Sequence, residues 1–488
     1  MITYSNTDHF VLLPGLLLAL FGCAVLLLDF LFPKDVKGRG WLVGIALAGV
    51  GFAGWQLWRQ YLHLAAHDMT PLSGFNGALV ADGFSVFFNG IVLVSAALVM
   101  LISYRYLEDE KEHNAEYYAL VLFAACGAFF LNGGLDMVTI FIGLELMALS
   151  FYVLVGFLRA DKRSNEAAMK YLLLGGFSTG FLIYGFSIFY GLTGSTNLTA
   201  LATVAQTRGA YDPLLYLGVV TVLIGLLFKI GAAPFHMWAP DTYEGAPTTV
   251  TAFLAVASKT ASFALLLRVL IVGLGGARSM WEPLITVAAV LSLTVGNLAA
   301  LSQSNVKRLL AYSSVAHAGY VLLGLVAGNQ TGLVGVSIYL LTYAFMTIGA
   351  FLVLVALRRR GVAVETIEDL ASLGQRFPYY GLLMLVFLMS LAGLPPTAGF
   401  IGKYYIFLAL VESGKYGLAI LGALYVAVSL YYYFRLVRSM FLSESNDTQV
   451  LAKSNGVRFA LAITGVATLA MGILPEPFLR MAAISLGR

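Results

Sequence analysis

Charged side chains are scarce: Asp, Glu, Lys and Arg make up 11% of 488 residues, against roughly a quarter in soluble domains. Beside 60% hydrophobic residues, that scarcity excludes an ordinary water-solvated domain and makes lipid the main solvent. Cysteine is nearly absent. Cys23 and Cys126 both lie inside apolar runs, so neither a disulfide framework nor a metal site is expected, and an iron–sulfur cluster takes four thiolates. The six histidines form no HExxH motif, and no nucleophile elbow is read in the chain, which argues against an intramembrane enzyme. The formal charge of +4 comes from basic residues that mostly flank apolar runs, as orientation signals do. Nucleic-acid binding is not expected.

Long apolar runs, by contrast, are abundant. A helix crossing hydrocarbon needs about 20 mainly apolar residues. Fourteen runs qualify, over 10–32, 41–62, 82–104, 115–133, 136–158, 166–193, 213–238, 248–275, 282–302, 307–327, 332–357, 378–411, 416–440 and 457–475. They are numbered helix 1 to helix 14, and the class is an all-α polytopic membrane protein. Helix 1 lacks a basic leader and a small-residue cleavage site and is read as retained. With the N-terminus outside, the cytoplasmic loops hold 18 of the 29 Lys and Arg residues and the outer side six. Those 18 are Lys34, Lys37, Arg39, Arg105, Lys111, Arg159, Lys162, Arg163, Lys307, Arg308, Arg358 to Arg360, Arg376, Arg435, Arg438, Lys453 and Arg458. The excess places both termini outside.

A shift of 168 residues aligns Tyr152-Val153-Leu154 and Gly156 with Tyr320-Val321-Leu322 and Gly324. The register continues: Tyr171-Leu172-Leu173 meets Tyr339-Leu340-Leu341, Phe177 meets Phe345, Thr179 meets Thr347 and Ala148 meets Ala316. Helix 5 then maps onto helix 10 and helix 6 onto helix 11. An offset of five spans turns the second copy upside down, the inverted repeat of many transporters. Helices 7 and 12 correspond in that register and carry Pro234 and Pro395-Pro396 in mid-span, beside Gly231, Gly393, Gly399 and Gly402. Proline removes a backbone donor and clashes with the preceding turn, so both helices are expected to break. A plain proline kink is the alternative.

Four ionisable residues fall at mid-span: Glu145 in helix 5, Lys229 before the break of helix 7, Lys259 in helix 8 and Lys403 just after the break of helix 12. A charge at the bilayer centre costs at least ~3 kcal/mol on insertion scales and persists where a partner, a cavity or a task supports it. One carboxylate neutralises one ammonium, which leaves two lysines needing water or loss of a proton. Static ion pairing remains the bland alternative. Between Lys259 and Lys403 stand His317, Ser313, Ser314, Tyr312 and Tyr320, with imidazole and hydroxyl groups that can bridge a proton wire. His236 follows Pro234 as a weaker candidate, Arg268 is read as snorkelling to the outer surface, and Asp136, Asp241 and Glu244 stand in second rank near span ends.

Three segments carry a family resemblance: Phe141-Ile-Gly-Leu-Glu145-Leu, Phe228-Lys229-Ile-Gly-Ala-Ala-Pro234-Phe-His236-Met-Trp-Ala-Pro240-Asp241, and Ala257-Ser258-Lys259. They resemble the antiporter-like subunits of respiratory complex I and the Mrp-type cation/proton antiporters that share their fold. Ser304-Asn305-Val306-Lys307-Arg308-Leu-Leu-Ala-Tyr312-Ser-Ser and Ser390-Leu-Ala-Gly-Leu-Pro395-Pro-Thr-Ala-Gly-Phe-Ile-Gly-Lys403 favour the N-type subunit. The M-type typically has a glutamate at the position of Lys403, and the L-type adds a long C-terminal lateral helix. The resemblance runs over nearly the whole chain and implies one membrane domain, 1–488. In it, helices 1–3 cover 1–105, inverted five-helix units 115–275 (helices 4–8) and 282–440 (helices 9–13), and helix 14 457–475. It implies Glu145 and Lys229 as an input pair, Lys259 as central relay and Lys403 as terminal donor to the outer half-channel. NADH, FMN, iron–sulfur clusters and quinone would belong to other subunits, with no redox site in this chain. Implied partners are the M-type and K-type neighbours, the lateral helix of the L-type subunit, lipid and protons, in a bacterial inner membrane. A Mrp-type antiporter subunit and a spacer with static ion pairs stay open as alternatives.

Overall fold

The computed structural model describes residues 5–31, 40–110, 112, 115–208, 212–359, 362–444, 450–451 and 454–487. Lys34, Lys37, Arg39, Lys111, Arg360 and Lys453, used for orientation, lie outside the described residues, as do the expected end of helix 1 at Phe32 and the side chains of Arg358 and Arg359.

Helices 1 to 6 run over Asn6–Leu31, Gly40–Ala66, Gly83–Asp109, Ala115–Gly133, Met137–Val155 and Lys162–Thr193. Helix 7 is Pro213–Ile230 continued by Trp238–Gly245, and helix 8 is Thr248–Gly273. Helices 9 to 11 are Arg278–Leu301, Val306–Ala327 and Gln330–Ala356; helix 12 is Pro378–Ala392 continued by Ala398–Glu412; helices 13 and 14 are Tyr416–Leu442 and Asn455–Ile473. Among the described residues, 13 helices are long and apolar enough to cross a membrane. Helix 12 completes the expected fourteen, because its break divides it into halves of 15 residues, each too short to span alone. Helix 7 extends beyond the expected end at 238: the break consumes Gly231 to Met237, and a further 8 residues of helix resume after it.

The helix ends follow local chemistry. Asp82, Asp136, Asp161, Asp212, Asn305 and Asn329 each accept a backbone N–H of the first turn that follows, satisfying donors a helix start leaves open. Both breaks begin with a left-handed glycine, Gly231 at φ 68° and Gly393 at φ 87°. That conformation suits glycine because it has no Cβ to clash. Departures from an all-helical chain lie in the connections. Among the described residues two small antiparallel sheets occur, Leu72–Gly74 with Leu79–Ala81, and Leu357–Arg359 with Val362–Ala363 and Val450–Leu451. Three unforeseen short α-helices occur among the described residues: Leu198–Thr207 after helix 6, Leu373–Arg376 before helix 12 and Glu476–Ser485 after helix 14.

Burial is uneven and places the core. The most apolar windows of helices 8, 10 and 11 are 89%, 94% and 89% buried, against 33% for helix 1 and 22% for helix 13. A helix buried all round by other helices has no lipid face, so Lys259 and His317 stand on the most enclosed elements. Helix 8 is also distorted, with wide π-helical turns at Leu254–Ser258, ending next to Lys259, and at Arg268–Gly273. Such turns inside α-helices concentrate at functional sites.

Candidate functional site

Lys229, Lys259 and Lys403 are all buried, and Glu145 is half-buried. Glu145 accepts a hydrogen bond from Thr179 Oγ1 at 3.0 Å. It forms no ion pair with Lys229 within 4.0 Å. The Lys229 ammonium stands 6.0 Å from the Tyr152 ring centroid, a cation–π approach. Lys229 occupies the last turn of the first half of helix 7, where the negative end of the helix dipole favours a cation.

The Lys259 ammonium donates to the Ser314 carbonyl at 2.8 Å and to the Ser314 hydroxyl. It also abuts the break of helix 7, since a Cβ built on Gly231 would lie 4.0 Å from Lys259 Nζ. Ser314 Oγ is 3.3 Å from the Tyr243 hydroxyl, and Lys259 stands 5.9 Å from the Tyr343 ring. One turn along helix 10, His317 uses both ring nitrogens: Nδ1 meets the Tyr339 hydroxyl at 2.6 Å and Nε2 the Tyr433 hydroxyl at 3.2 Å. The Tyr433 hydroxyl also pairs with Ser313 Oγ. The Tyr339 ring stacks on Tyr320 at 6.5 Å between centroids, and the Lys403 ammonium lies 4.8 Å from the Tyr320 ring. Lys403 donates to the carbonyls of Leu391 at 3.0 Å and Ala392 at 2.7 Å. Those carbonyls close the first half of helix 12, so the ammonium stands at a half-helix C-terminus. Serine, imidazole and phenol groups thus occupy the space between Lys259 and Lys403, the Tyr320 hydroxyl itself donating to the Gly422 carbonyl at 3.2 Å.

Several expected residues lie elsewhere. Tyr312 turns out of this row, its ring 6.4 Å from that of His236. His236 sits within the break of helix 7 rather than near the helix end, and its Nδ1 is buried without a hydrogen-bond partner. The prolines Pro234, Pro395 and Pro396 occupy the breaks but face outward, exposed. Arg268 does not snorkel: only 5% exposed, it turns inward onto Asp82. Asp136 caps helix 5. Asp241 is paired with Lys170 at 2.9 Å and Arg308 at 2.7 Å, and Glu244 with Arg308 at 2.8 Å. Contrary to the expectation that the chain has no GxSxG segment, Gly176-Phe-Ser178-Thr-Gly180 carries the letters of a nucleophile elbow. It lies inside helix 6, whereas an elbow needs a sharp strand-to-helix turn.

Thr179, Tyr152, Tyr339, Tyr343 and Tyr433 were missed. The repeat register already paired Tyr171 with Tyr339 and set Thr179 one helix from Glu145. Tyr433 lies in the aromatic run Tyr431-Tyr-Tyr-Phe434, where nothing local distinguishes the inward ring from its neighbours. Replacing Tyr433 by phenylalanine leaves His317 Nε2 without its partner, a loss of about 1–3 kcal/mol for a buried group. The expected result is a lower unfolding temperature, read on the purified protein. An unchanged temperature would show that the His317–Tyr433 contact contributes nothing.

Fold and row together define a polytopic helical membrane protein with an ionisable path at mid-span between two broken helices. Residues 134–429 match the family described as NADH:quinone oxidoreductase/Mrp antiporter, TM. The chain is 58% identical over 486 residues, 99% of each chain, to NADH-quinone oxidoreductase subunit N 2 of Solibacter usitatus. It is 44% identical over 475 residues to NADH-quinone oxidoreductase subunit N of Trichlorobacter lovleyi, covering 97% of this chain and 96% of that one. Among solved structures, a chain of respiratory complex I from Thermus thermophilus with bound aureothin superposes with TM-score 0.81 at 35% identity, over 96% of this chain and 99% of that one. A chain of the Mrp complex from Dietzia sp. superposes with TM-score 0.81 over 97% of both chains at 21% identity, a likeness of fold alone. The chain belongs to the NADH:quinone oxidoreductase/Mrp antiporter transmembrane family, among the subunit N members. The resemblance drawn from the Glu145, Lys229 and Lys259 segments is borne out, and the Mrp alternative has the weaker support.

Proposed function

We propose that this chain is the proton-translocating, antiporter-like subunit N of a complex I. It moves protons through Glu145, Lys229, Lys259, His317 and Lys403 while quinone is reduced in neighbouring subunits. The observation that carries this reading is the polar cluster between the two lysines: Lys259 on Ser314, His317 between the Tyr339 and Tyr433 hydroxyls, and Lys403 against the Tyr320 ring that stacks on Tyr339. Three ammoniums buried at mid-span and served by a single half-buried carboxylate exceed what static pairing neutralises. When Glu145 approaches Lys229 the ammonium is held; when it withdraws, the proton is driven toward Lys259 and then Lys403. The open geometry of the Glu145–Lys229 pair, which forms no ion pair within 4.0 Å, supports that gate.

The same reading assigns the redox groups to other subunits. Among the described residues no cluster of three His, Cys, Asp or Glu side chains could hold a metal ion, and both cysteines are free. It takes the membrane as a bacterial inner membrane with both termini outside, the two five-helix units as 115–275 and 282–440, and the neighbours as M-type and K-type subunits and an L-type lateral helix. Lys229→Ala and Glu145→Gln in the assembled complex test it. Each should lower protons pumped per electron with little change in uncoupled NADH oxidation. Undiminished pumping in both would reject the input pair.

A further inference from the structure

If protons pass between Lys259 and Lys403, net transport requires that neither lysine exchange protons through the outer end of the first unit or the cytoplasmic end of the second. An arginine stands at each of these ends. We propose that Arg268 and Arg435 are barrier residues that seal the outer end of the first five-helix unit and the cytoplasmic end of the second. The assignment rests on the proton path proposed above.

Arg268 lies in the last turns of helix 8. Its Nε donates to the Asn132 carbonyl at 2.7 Å, in the last turn of helix 4, and its Nη1 and Nη2 hold the Asp82 carboxylate at 2.9 and 2.7 Å. The guanidinium lies 4.6 Å from the Phe84 ring. Asp82 in turn caps helix 3 through the Ser85 N–H at 2.8 Å, and Asn132 Nδ2 donates to Asn89 Oδ1 at 2.8 Å. Helices 3, 4 and 8 are thereby tied at their outer ends. Arg435 lies in the later turns of helix 13, where its Nη1 donates to the Leu301 carbonyl at 2.8 Å, the last residue of helix 9, and its Nη2 to the Gln303 carbonyl just beyond.

Under the five-span offset, helix 13 corresponds to helix 8 and helix 9 to helix 4. In each unit, then, an arginine near the end of the last helix binds carbonyls closing the first. Inversion puts one of these plugs on each side of the membrane. The chemistry suits a seal. Guanidinium stays protonated and offers five N–H donors with no acceptor, whereas each member of a proton wire has to accept before it donates. A wire reaching either arginine ends there. Arg435, bonded to neutral carbonyls, also opposes an incoming proton by its charge, as fixed arginines do in channels that exclude cations. Asp82 balances the charge of Arg268, so that plug acts through burial and through the three N–H donors held by Asn132 and Asp82.

The test uses the whole complex in liposomes without NADH, with proton entry driven by a potassium diffusion potential. Arg268→Gln and Arg435→Gln should each raise passive proton entry severalfold, with uncoupled NADH oxidation unchanged. Arg268→Lys and Arg435→Lys keep the charge but lose the forked hydrogen bonds and add a group able to release a proton, so they should leak as well; a purely structural arginine would show instead as a lowered unfolding temperature with no leak that depends on Lys259. Adding Lys259→Met to Arg268→Gln should stop the leak. Assembled Gln and Lys variants as tight as the unaltered complex, or a leak that survives Lys259→Met, would overturn the proposal. The path itself fails separately: arginine variants that leak beside Lys229→Ala complexes that pump normally would reject the input pair and leave the barriers standing.

Discussion

Replacing Lys259 with methionine is expected to stop lateral proton transfer while the complex assembles and oxidises NADH. Lys259 is buried, donates to Ser314, and lies against the break of helix 7 on one side and the His317 row on the other. Methionine keeps most of the volume of the side chain and removes the only group at that position that holds a proton. Loss of a positioned proton-transfer group costs about 10²–10⁴-fold in rate, so flux through this chain should fall by at least the lower bound. Stability should change little, because exchanging a buried charge for an apolar side chain of similar volume is often neutral or favourable. Protons per electron in reconstituted vesicles, beside uncoupled NADH oxidation, read the two effects apart. A spacer with static ion pairs predicts the reverse, altered stability with intact pumping.

The second large effect is expected at Gly393. A side chain there meets the left-handed backbone at φ 87°, which costs roughly 1–2 kcal/mol for a non-glycine residue. Its Cβ would also lie 2.7 Å from Lys403 Cδ and 3.2 Å from Nζ, so the lysine has to leave the carbonyls of Leu391 and Ala392. Gly393→Ala should therefore lower both thermal stability and proton transfer. Gly231→Ala makes the sharper control. At φ 68° it carries similar strain, yet the nearest atoms to its Cβ stand at 3.7 Å and beyond. Its stability should fall with a smaller effect on pumping. Equal losses of pumping in the two variants would show that backbone strain, and not displacement of Lys403, is responsible.

Much of this architecture was legible from apolar run length, because hydrocarbon requires every backbone group to be satisfied within a helix and leaves few other solutions. The breaks were legible too, from Pro234 and Pro395-Pro396 beside glycines. The end of helix 7 was not: Trp238–Gly245 carries Asp241 and Glu244 and reads as a loop until their partners Lys170 and Arg308 arrive from helices 6 and 10. Arg268 misled for a related reason. An arginine near a span end ordinarily reaches for water, and only the fold brings Asp82 and the Asn132 carbonyl within its grasp. Mid-span charges stood out as Glu145, Lys229, Lys259 and Lys403 because lipid makes them rare. Tyr339 and Tyr433 did not, since an aromatic ring is welcome anywhere in an apolar core and only contact with His317 separates them from other tyrosines.

The most direct measurement replaces Lys259 with arginine and counts protons pumped per electron in the assembled complex. Arginine preserves the positive charge and its attraction for carbonyl oxygens but stays protonated under all working conditions. If Lys259 works by taking up and releasing a proton, the arginine complex pumps as poorly as the methionine one. Pumping restored by arginine would mean that a fixed charge is all the position supplies, and the relay would have to be abandoned.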